Sequence, residues 1–192
     1  MKKSRRRLHC IRTIVTFAAA GATVRGQIVL ANFSSANPLK IMAVGDSITD
    51  DCVTNGAWRK PLQPLLETNG FPFTFVGRRT STVMPPAFTK VQHEGWCGAV
   101  VAPPGIFYGT DNYMYNRVPA ALSNSIPDVM LILIGANDIG QGRNPYLVAT
   151  NDMATLLNMI FSNAPNTQVN RLIRARNSFV FNSRSDANPR CS

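Results

Sequence analysis

The residues that could carry out a reaction in this sequence stand in three short segments. The first is Gly45-Asp46-Ser47, the second is 93–98 (HEGWCG), and the third is 135–138 (GAND). Ester hydrolysis needs a hydroxyl nucleophile, a base that takes its proton, and hydrogen-bond donors for the oxyanion that forms. A serine, two glycines and an asparagine amide, placed in this way, suit that chemistry.

The sequence position of each residue suits a role in ester hydrolysis. Ser47 follows an apolar run through a turn that glycine permits, so its hydroxyl can face a crevice and its N–H can point toward an oxyanion. Gly98 lets a second backbone N–H approach a substrate closely, and Gly95 is the alternative because both fit a G-x-x-G pattern. Asn137 offers a side-chain amide. Taken singly, Ser47 could cap a helix and Asn137 a turn; together they favour a site.

Two apolar runs must position these segments. Residues 39–44 (LKIMAV) precede Gly45, and 129–134 (VMLILI) precede Gly135. Both runs are typical of strands buried on both faces. We also expect a strand at 71–76, a loop region at 77–116, and helices at 58–68, 118–125 and 146–161, the first of which has an apolar face of Trp58, Leu62, Leu65 and Leu66.

Strands that alternate with helices predict an α/β fold, a doubly wound parallel sheet with right-handed crossovers. Ligands of such sheets lie beyond the carboxyl ends of the strands. That rule places Ser47 and Asn137 at the same edge of the sheet.

The three segments resemble the sequence blocks of the SGNH, or GDSL, hydrolase superfamily of esterases and lipases. VGDSIT and IGAND match its GDS and GxND blocks, and HEGWCG resembles the second block in the branch that contains acetylxylan esterases. The resemblance covers residues 39–169. It implies a three-layer, flavodoxin-like fold and a small ester or acetylated glycan as substrate. It implies no metal and no organic cofactor.

The same resemblance assigns roles to the residues. Ser47 is the nucleophile, and its N–H, Gly98 and Asn137 form the oxyanion hole. Gly98 is preferred to Gly95 because the donor glycine of the family is the later one. Asp46 and Asp138 are expected to hold the two catalytic loops through backbone hydrogen bonds.

The family's last block, Asp-x-x-His, supplies the base, yet no histidine follows His93, which belongs to the second block. Residues 170–192 are rich in Arg, Asn and Ser and show no helix or strand pattern. We interpret them as an out-of-family tail of a truncated or aberrant gene, which leaves the fold incomplete at the C-terminus. Little activity is expected without the base, and a non-catalytic pseudo-esterase that binds glycan is the alternative.

The net charge of +10 belongs to the two ends of the chain. Residues 1–26 hold seven basic and no acidic groups, and 171–192 hold five basic and one acidic. Residues 27–170 hold eight basic and nine acidic groups. A nearly neutral body without a binding motif argues against a nucleic-acid partner.

Residues 1–26 have the parts of a secretory signal peptide, namely a basic start, an apolar run at 14–24 and small residues for cleavage. The apolar run is too short to span a membrane. A basic nucleic-acid or nuclear-targeting arm is the alternative. We therefore predict a secreted, extracellular monomer, with a linker at 27–38.

Export is compatible with two modifications. Asn32 begins a glycosylation sequon. Cys52 stands five residues after Ser47 and Cys97 directly before Gly98, and a disulfide between them would brace the oxyanion site. Two free, partly buried thiols are the alternative.

Overall fold

β1 (Leu39–Gly45) is the central strand of the sheet. The computed structural model describes residues 33–50, 52, 58–81, 89–104, 111–175 and 178–183. The expected signal peptide, Asn32 and the last nine residues lie outside that part of the chain. Within it, six further strands join the sheet, namely β2 (Phe73–Val76), β3 (Arg79–Thr80), β4 (Gln92–Gly95), β5 (Val129–Leu133), β6 (Gln168–Ala175) and β7 (Ser178–Ser183).

The register of the strands brings three strand ends together. On one side β1 pairs with β5 in parallel, and on the other its first residues pair with β2 and its last two with β4. Gly45 is opposite Gly95 on β4 and Leu133 on β5. β6 continues the parallel order beside β5, whereas β3 and β7 run antiparallel at the two edges. The predicted doubly wound α/β fold is confirmed, with a mixed sheet at its edges.

The helices of the described residues cover both faces of the sheet. They are α1 (Arg59–Thr68), α2 (Met114–Asn124), α3 (Ala136–Gly140), α4 (Pro145–Leu147) and α5 (Met153–Asn163). A π-helical turn, Val148–Asp152, joins α4 to α5. None of these helices is long and apolar enough to cross a membrane.

Alternation along the strands divides the core into two clusters. Met42 and Val44 of β1 pack under α2 and α5 in the larger cluster, whereas Leu39 and Ile41 face the smaller cluster that α1 covers. Side chains alternate across a strand, so one sheet supplies both layers of the core. The result is the three-layer arrangement that the resemblance implied.

The buried face of α1 differs from the predicted one. Leu62 and Leu66 do pack against the smaller cluster, but Leu65 is 60% exposed. The fully buried side chains of the helix are Arg59 and Gln63. The Arg59 guanidinium donates to the Thr49 carbonyl (3.1 Å), so a polar contact sets this face.

The predicted loop region 77–116 contains β3, β4 and the start of α2. β4 has the sequence QHEG, which shows no apolar alternation, and its burial follows from pairing with the end of β1. Polar strands of this kind escape detection by hydrophobic pattern.

The structure also continues the sheet beyond Asn170, where the sequence predicts no regular element. β6 runs across that position to Ala175 beside β5, and β7 returns antiparallel to it. Backbone pairing with a neighbouring strand satisfies N–H and C=O groups whatever the side chains are, so an Arg- and Asn-rich segment can extend a sheet.

Candidate active site

A tight turn after β1 holds Ser47. The Asp46 carbonyl accepts the N–H groups of Thr49 (3.0 Å) and Asp50 (2.9 Å), and Asp46 Oδ1 accepts the N–H of Ile48 (2.9 Å). These bonds close the turn around Ser47, which is half-buried. Within the described residues the Ser47 N–H has no acceptor, so it is available to a ligand.

Gly45 allows this turn to lie against β5. A Cβ at this position would overlap the Leu133 carbonyl oxygen and the Thr49 hydroxyl. The glycine of the GDS segment is therefore required by packing, because any side chain would push the turn away from the neighbouring strand end.

The second segment distinguishes its two glycines. The Gly95 N–H donates to Nδ1 of the buried His93 (3.1 Å) and is already used. Gly98 is buried and has a φ of +72°, a conformation that glycine adopts without strain. In the part of the chain that the structure describes, the Gly98 N–H meets no acceptor. Of the two glycines, Gly98 is thus the one whose N–H is available to a ligand.

The third segment reaches toward the second through Asn137. Asn137 lies in the first turn of α3, and its Nδ2 donates to the Ala99 carbonyl (2.8 Å), one residue beyond Gly98. A side-chain amide has two N–H groups, so one of them remains for an oxyanion.

Asp138 also links the third segment to the chain that follows the second. Its side chain is fully buried, and its two oxygens accept the Val101 N–H (3.2 and 3.1 Å). Burial raises the pKa of this carboxyl, and the Arg143 guanidinium partly opposes the shift. Arg143 contacts Asp138 at 2.8 Å and Asp152 at 2.7 Å. Sequence reasoning missed Arg143, although it stands only five residues after Asp138.

Asp46 is the more perturbed carboxyl of the site. Burial raises its pKa to about 6, the N–H of Ile48 lowers it, and the charge of Asp138 raises it further. Its Oδ2 has no hydrogen-bond partner among the described residues. Asp46 therefore stabilises the turn through Oδ1, while Oδ2 is buried without a hydrogen bond from this part of the chain that would offset its loss of hydration.

Cys52 and Cys97 are placed as a disulfide, with their Cα atoms 6.4 Å apart. Asp50 adds a second link, since its Oδ2 accepts the Cys97 N–H (3.3 Å), and Asn112 Nδ2 donates to the Cys97 carbonyl (2.7 Å). The residue before Gly98 is thus held through its side chain, its N–H and its carbonyl. Sequence reasoning missed Asp50 and Asn112, which carry no motif.

Asp50, Cys52 and Cys97 also form a group of metal-ligand types, with ligand atoms within 4.8 Å. Metal binding by cysteine needs the thiolate. With the two sulfurs joined to each other, this group does not offer a thiolate site.

Comparison with known proteins agrees with this geometry. The model of the GDSL-like lipase/acylhydrolase family matches residues 43–190. The chain belongs to this family. The match extends beyond residue 169, where the sequence predicts the family resemblance to end. Among curated proteins there is no significant match.

Solved structures of carbohydrate esterases share the GDSL fold of this chain. A family 3 carbohydrate esterase of Clostridium thermocellum is 30% identical with a TM-score of 0.57, over 69% of this chain and 59% of that one. A family 3 carbohydrate esterase from Talaromyces cellulolyticus is 23% identical with a TM-score of 0.54, over 68% and 59%. The second similarity concerns the fold alone. The chain spans about 59% of the length of either esterase.

The structure places His93 within the sheet, at the start of the second segment. His93 is fully buried in β4, and its Nδ1 accepts the Gly95 N–H. No other histidine occurs in the described residues. His93 therefore supports the second segment.

Proposed function

We propose that this protein is a secreted carboxylic ester hydrolase that acts on acetylated carbohydrate. One observation carries the proposal: the Ser47 and Gly98 N–H groups, at neighbouring strand ends, both lack an acceptor within the described residues. Two such donors beside a serine hydroxyl suit the negative charge that develops on an acyl oxygen. Asn137 contributes the third donor.

In the proposed reaction, Ser47 Oγ attacks the acyl carbonyl and forms a tetrahedral oxyanion. The Ser47 and Gly98 N–H groups and Asn137 Nδ2 hold that oxygen. Solvent takes the Ser47 proton and returns a proton to the sugar oxygen, so that collapse expels the sugar as an alcohol and leaves acyl-Ser47. Water then hydrolyses acyl-Ser47 to the acid and restores the serine hydroxyl. Asp46 and Asp138 keep the loops in place.

Proton transfer limits this reaction in the 192 residues. The Ser47 proton needs an acceptor, and the only histidines of the sequence are His9 and His93. Loss of triad members costs about 10⁴–10⁶ in rate. A slow, Ser47-dependent hydrolysis is therefore expected.

Hydrolysis of p-nitrophenyl acetate by the full chain tests the proposal, with and without added imidazole as an external base. We expect imidazole to raise the rate of the native protein above that of Ser47→Ala in the same buffer. Ser123→Ala, at an exposed serine on α2, is the matched control and should behave as the native protein does. Equal rates for the native protein and Ser47→Ala would reject catalysis by this chain.

The carbohydrate part of the proposal is supported by the 30% identical carbohydrate esterase. Release of acetate from acetylated xylan, compared with deacetylated xylan, tests it. Hydrolysis of p-nitrophenyl acetate without release from xylan would keep the esterase and reject this substrate.

The burial of His93 favours a second candidate, a non-catalytic pseudo-esterase that binds glycan. It predicts that acetylated xylo-oligosaccharide binds equally to the native protein and Ser47→Ala, and that no acetate is released.

Secretion and the monomeric state belong to the same proposal. Secretion is supported by the basic start and apolar run within residues 1–26. Mass spectrometry of the exported protein should show an N-terminus beyond the apolar run, and an intact Met1 would reject export. Light scattering of the exported protein should give the mass of one chain.

A further inference from the structure

Trp96 stands at the edge of the candidate site. It follows β4, and its N–H donates to the Gly45 carbonyl (2.8 Å), two residues before Ser47. α2 leads into the parallel strand β5 and therefore runs back along the sheet, which places its first turn at the carboxyl ends of the strands. Arg117 lies in that first turn.

Three guanidinium groups surround the Trp96 ring. Their central carbons lie 3.8 Å (Arg117), 4.6 Å (Arg79) and 5.5 Å (Arg78) from the ring centroid. Attraction between a cation and an aromatic face is effective within about 6 Å. We call these four residues the Trp96 cluster.

Two carboxylates neutralise two of the three charges. Buried Glu94 pairs with Arg78, and it also accepts the Trp96 indole N–H (2.7 Å). Buried Asp50 pairs with Arg79 at 3.2 Å. Arg117 forms no ion pair within the described residues. The cluster therefore carries one uncompensated positive charge, on the guanidinium closest to the ring.

The surroundings of Arg117 disfavour that charge. Burial lowers the pKa of Arg117, and repulsion from Arg78 and Arg79 adds to it, while attraction by Glu94 and Asp111 opposes it. The Nε atoms of Arg117 and Arg79 are buried and have no hydrogen-bond acceptor in the described part of the chain. Arg117 as a whole is half-buried, and an anion beside the accessible part of its guanidinium would relieve the repulsion.

We propose that Arg117, stacked on Trp96, binds a carboxylate of the substrate, so that the preferred substrate is an ester of an acidic, uronate-bearing carbohydrate. The inference rests on the proposed function for the ester and on the Trp96 cluster for the acid. A planar guanidinium offers two parallel N–H groups that match a carboxylate. The bond from the Trp96 backbone N–H to the Gly45 carbonyl keeps this subsite beside the turn that carries Ser47.

Titration calorimetry on the full chain tests the inference, with tetragalacturonic acid as the acidic probe and xylotetraose as the neutral one. We expect tighter binding of the acid, and about tenfold weaker binding of it by Arg117→Gln. Arg117→Lys should recover part of the loss, because it keeps the charge without the planar fork. Lys60→Gln removes an exposed positive charge on α1 outside the cluster and should bind as the native protein does.

Raised salt provides a test that needs no variant. Binding of the acidic probe by the native protein should weaken between 0.05 and roughly 0.5 M salt, since mobile ions screen exposed charges. Equal binding of both probes, no binding of either, or unchanged binding by a folded Arg117→Gln would overturn the inference. Hydrolysis of p-nitrophenyl acetate by the native protein is measured in addition, because it tests the esterase proposal independently of the acidic subsite. Arg117-dependent binding without hydrolysis would retain the acidic subsite and reject the esterase.

Discussion

The loop that carries Gly98 is held by different interactions on its two sides. On the β1 side, the backbone of Gly95 packs directly on Asp50, and Cys97 is placed in a disulfide with Cys52. On the β5 side, the contacts are between polar groups, since Asn137 donates to the Ala99 carbonyl and Asp138 accepts the Val101 N–H.

The two sides should tolerate different substitutions. Close backbone packing on the β1 side leaves no room for an added atom, whereas open space surrounds Gly140 of α3 on the β5 side. Conversely, the β5 side depends on a fully buried carboxylate that cannot be removed without stranding its partners. The β1 side therefore adds close backbone packing and a covalent link to the polar contact of Asp50, whereas the β5 side rests on the polar contacts of Asn137 and Asp138.

The largest expected effect is that of Asp138→Ala. It removes the acceptor of the Val101 N–H and one of the two carboxylate partners of Arg143, and each buried donor left without an acceptor costs about 1–3 kcal/mol. Urea unfolding measures the loss. Asp111→Ala, at an exposed position, is the control and should leave the midpoint nearly unchanged. A small effect of Asp138→Ala would mean that Arg143 and the loop find other partners.

Loss of the disulfide should be the next largest effect. Cys52→Ala/Cys97→Ala opens a loop that spans a sequence separation of 45 residues, and native disulfides stabilise proteins by about 2–4 kcal/mol. We expect urea unfolding to show this loss in the double variant. The native protein should lose a similar amount on treatment with a dithiol, and the double variant should not respond to the reagent. A response of both proteins would place the sensitive thiols elsewhere.

Asp46 makes the stability of the β1 turn depend on pH. Its pKa rises from 3.8 to about 6 on folding, so between these values the folded state holds a proton that the unfolded state has released. The contribution is complete below pH 3.8 and is lost as the pH rises through 6. Up to about 3 kcal/mol is involved, at ~1.4 kcal/mol per pKa unit.

The matched variant for this effect is Asp46→Asn, which keeps an oxygen for the Ile48 N–H. The stability of the native protein relative to this variant should fall between about pH 4 and 6 and then level off. Urea unfolding across that range measures it. A relative stability that rises with pH would show that the carboxylate is stabilised in the fold.

The sequence predicts the β5 side better than the β1 side, for a physical reason. VMLILI is a buried strand that hydrophobic pattern detects, and GAND follows it directly at the start of α3. β4 has the sequence QHEG, and it becomes a strand only through pairing with β1. Asp50 contacts residues that are distant in sequence, Cys97 and Arg79, and Arg143 contacts Asp138 and Asp152 through a loop that has no regular pattern. Neither periodicity nor a motif reports them.

The sequence does not predict the Trp96 cluster, for the same reason. Arg78 and Arg79 follow β2, in the part of the chain where the sequence predicts a loop region. Arg117 lies in α2, one residue before the start of the predicted helix. Tertiary contacts bring them to one ring. By contrast, the sequence predicts that Ser47 and Asn137 each follow a buried strand, and the structure places them after β1 and β5.

The smallest effects separate the two sides by volume alone. A Cβ at Gly95 would overlap the Asp50 N and Thr49 carbonyl carbon, which are backbone atoms and cannot rotate away, so Gly95→Ala should cost about 1–3 kcal/mol. Gly140→Ala places its Cβ in open space on α3 and should stabilise the protein by up to about 1 kcal/mol. Urea unfolding of the two variants compares them directly. If Gly95→Ala were tolerated as well as Gly140→Ala, the backbone around Gly95 could shift to accept a methyl group. The position of Gly98 would then depend on the disulfide and Asp50 instead of on backbone packing.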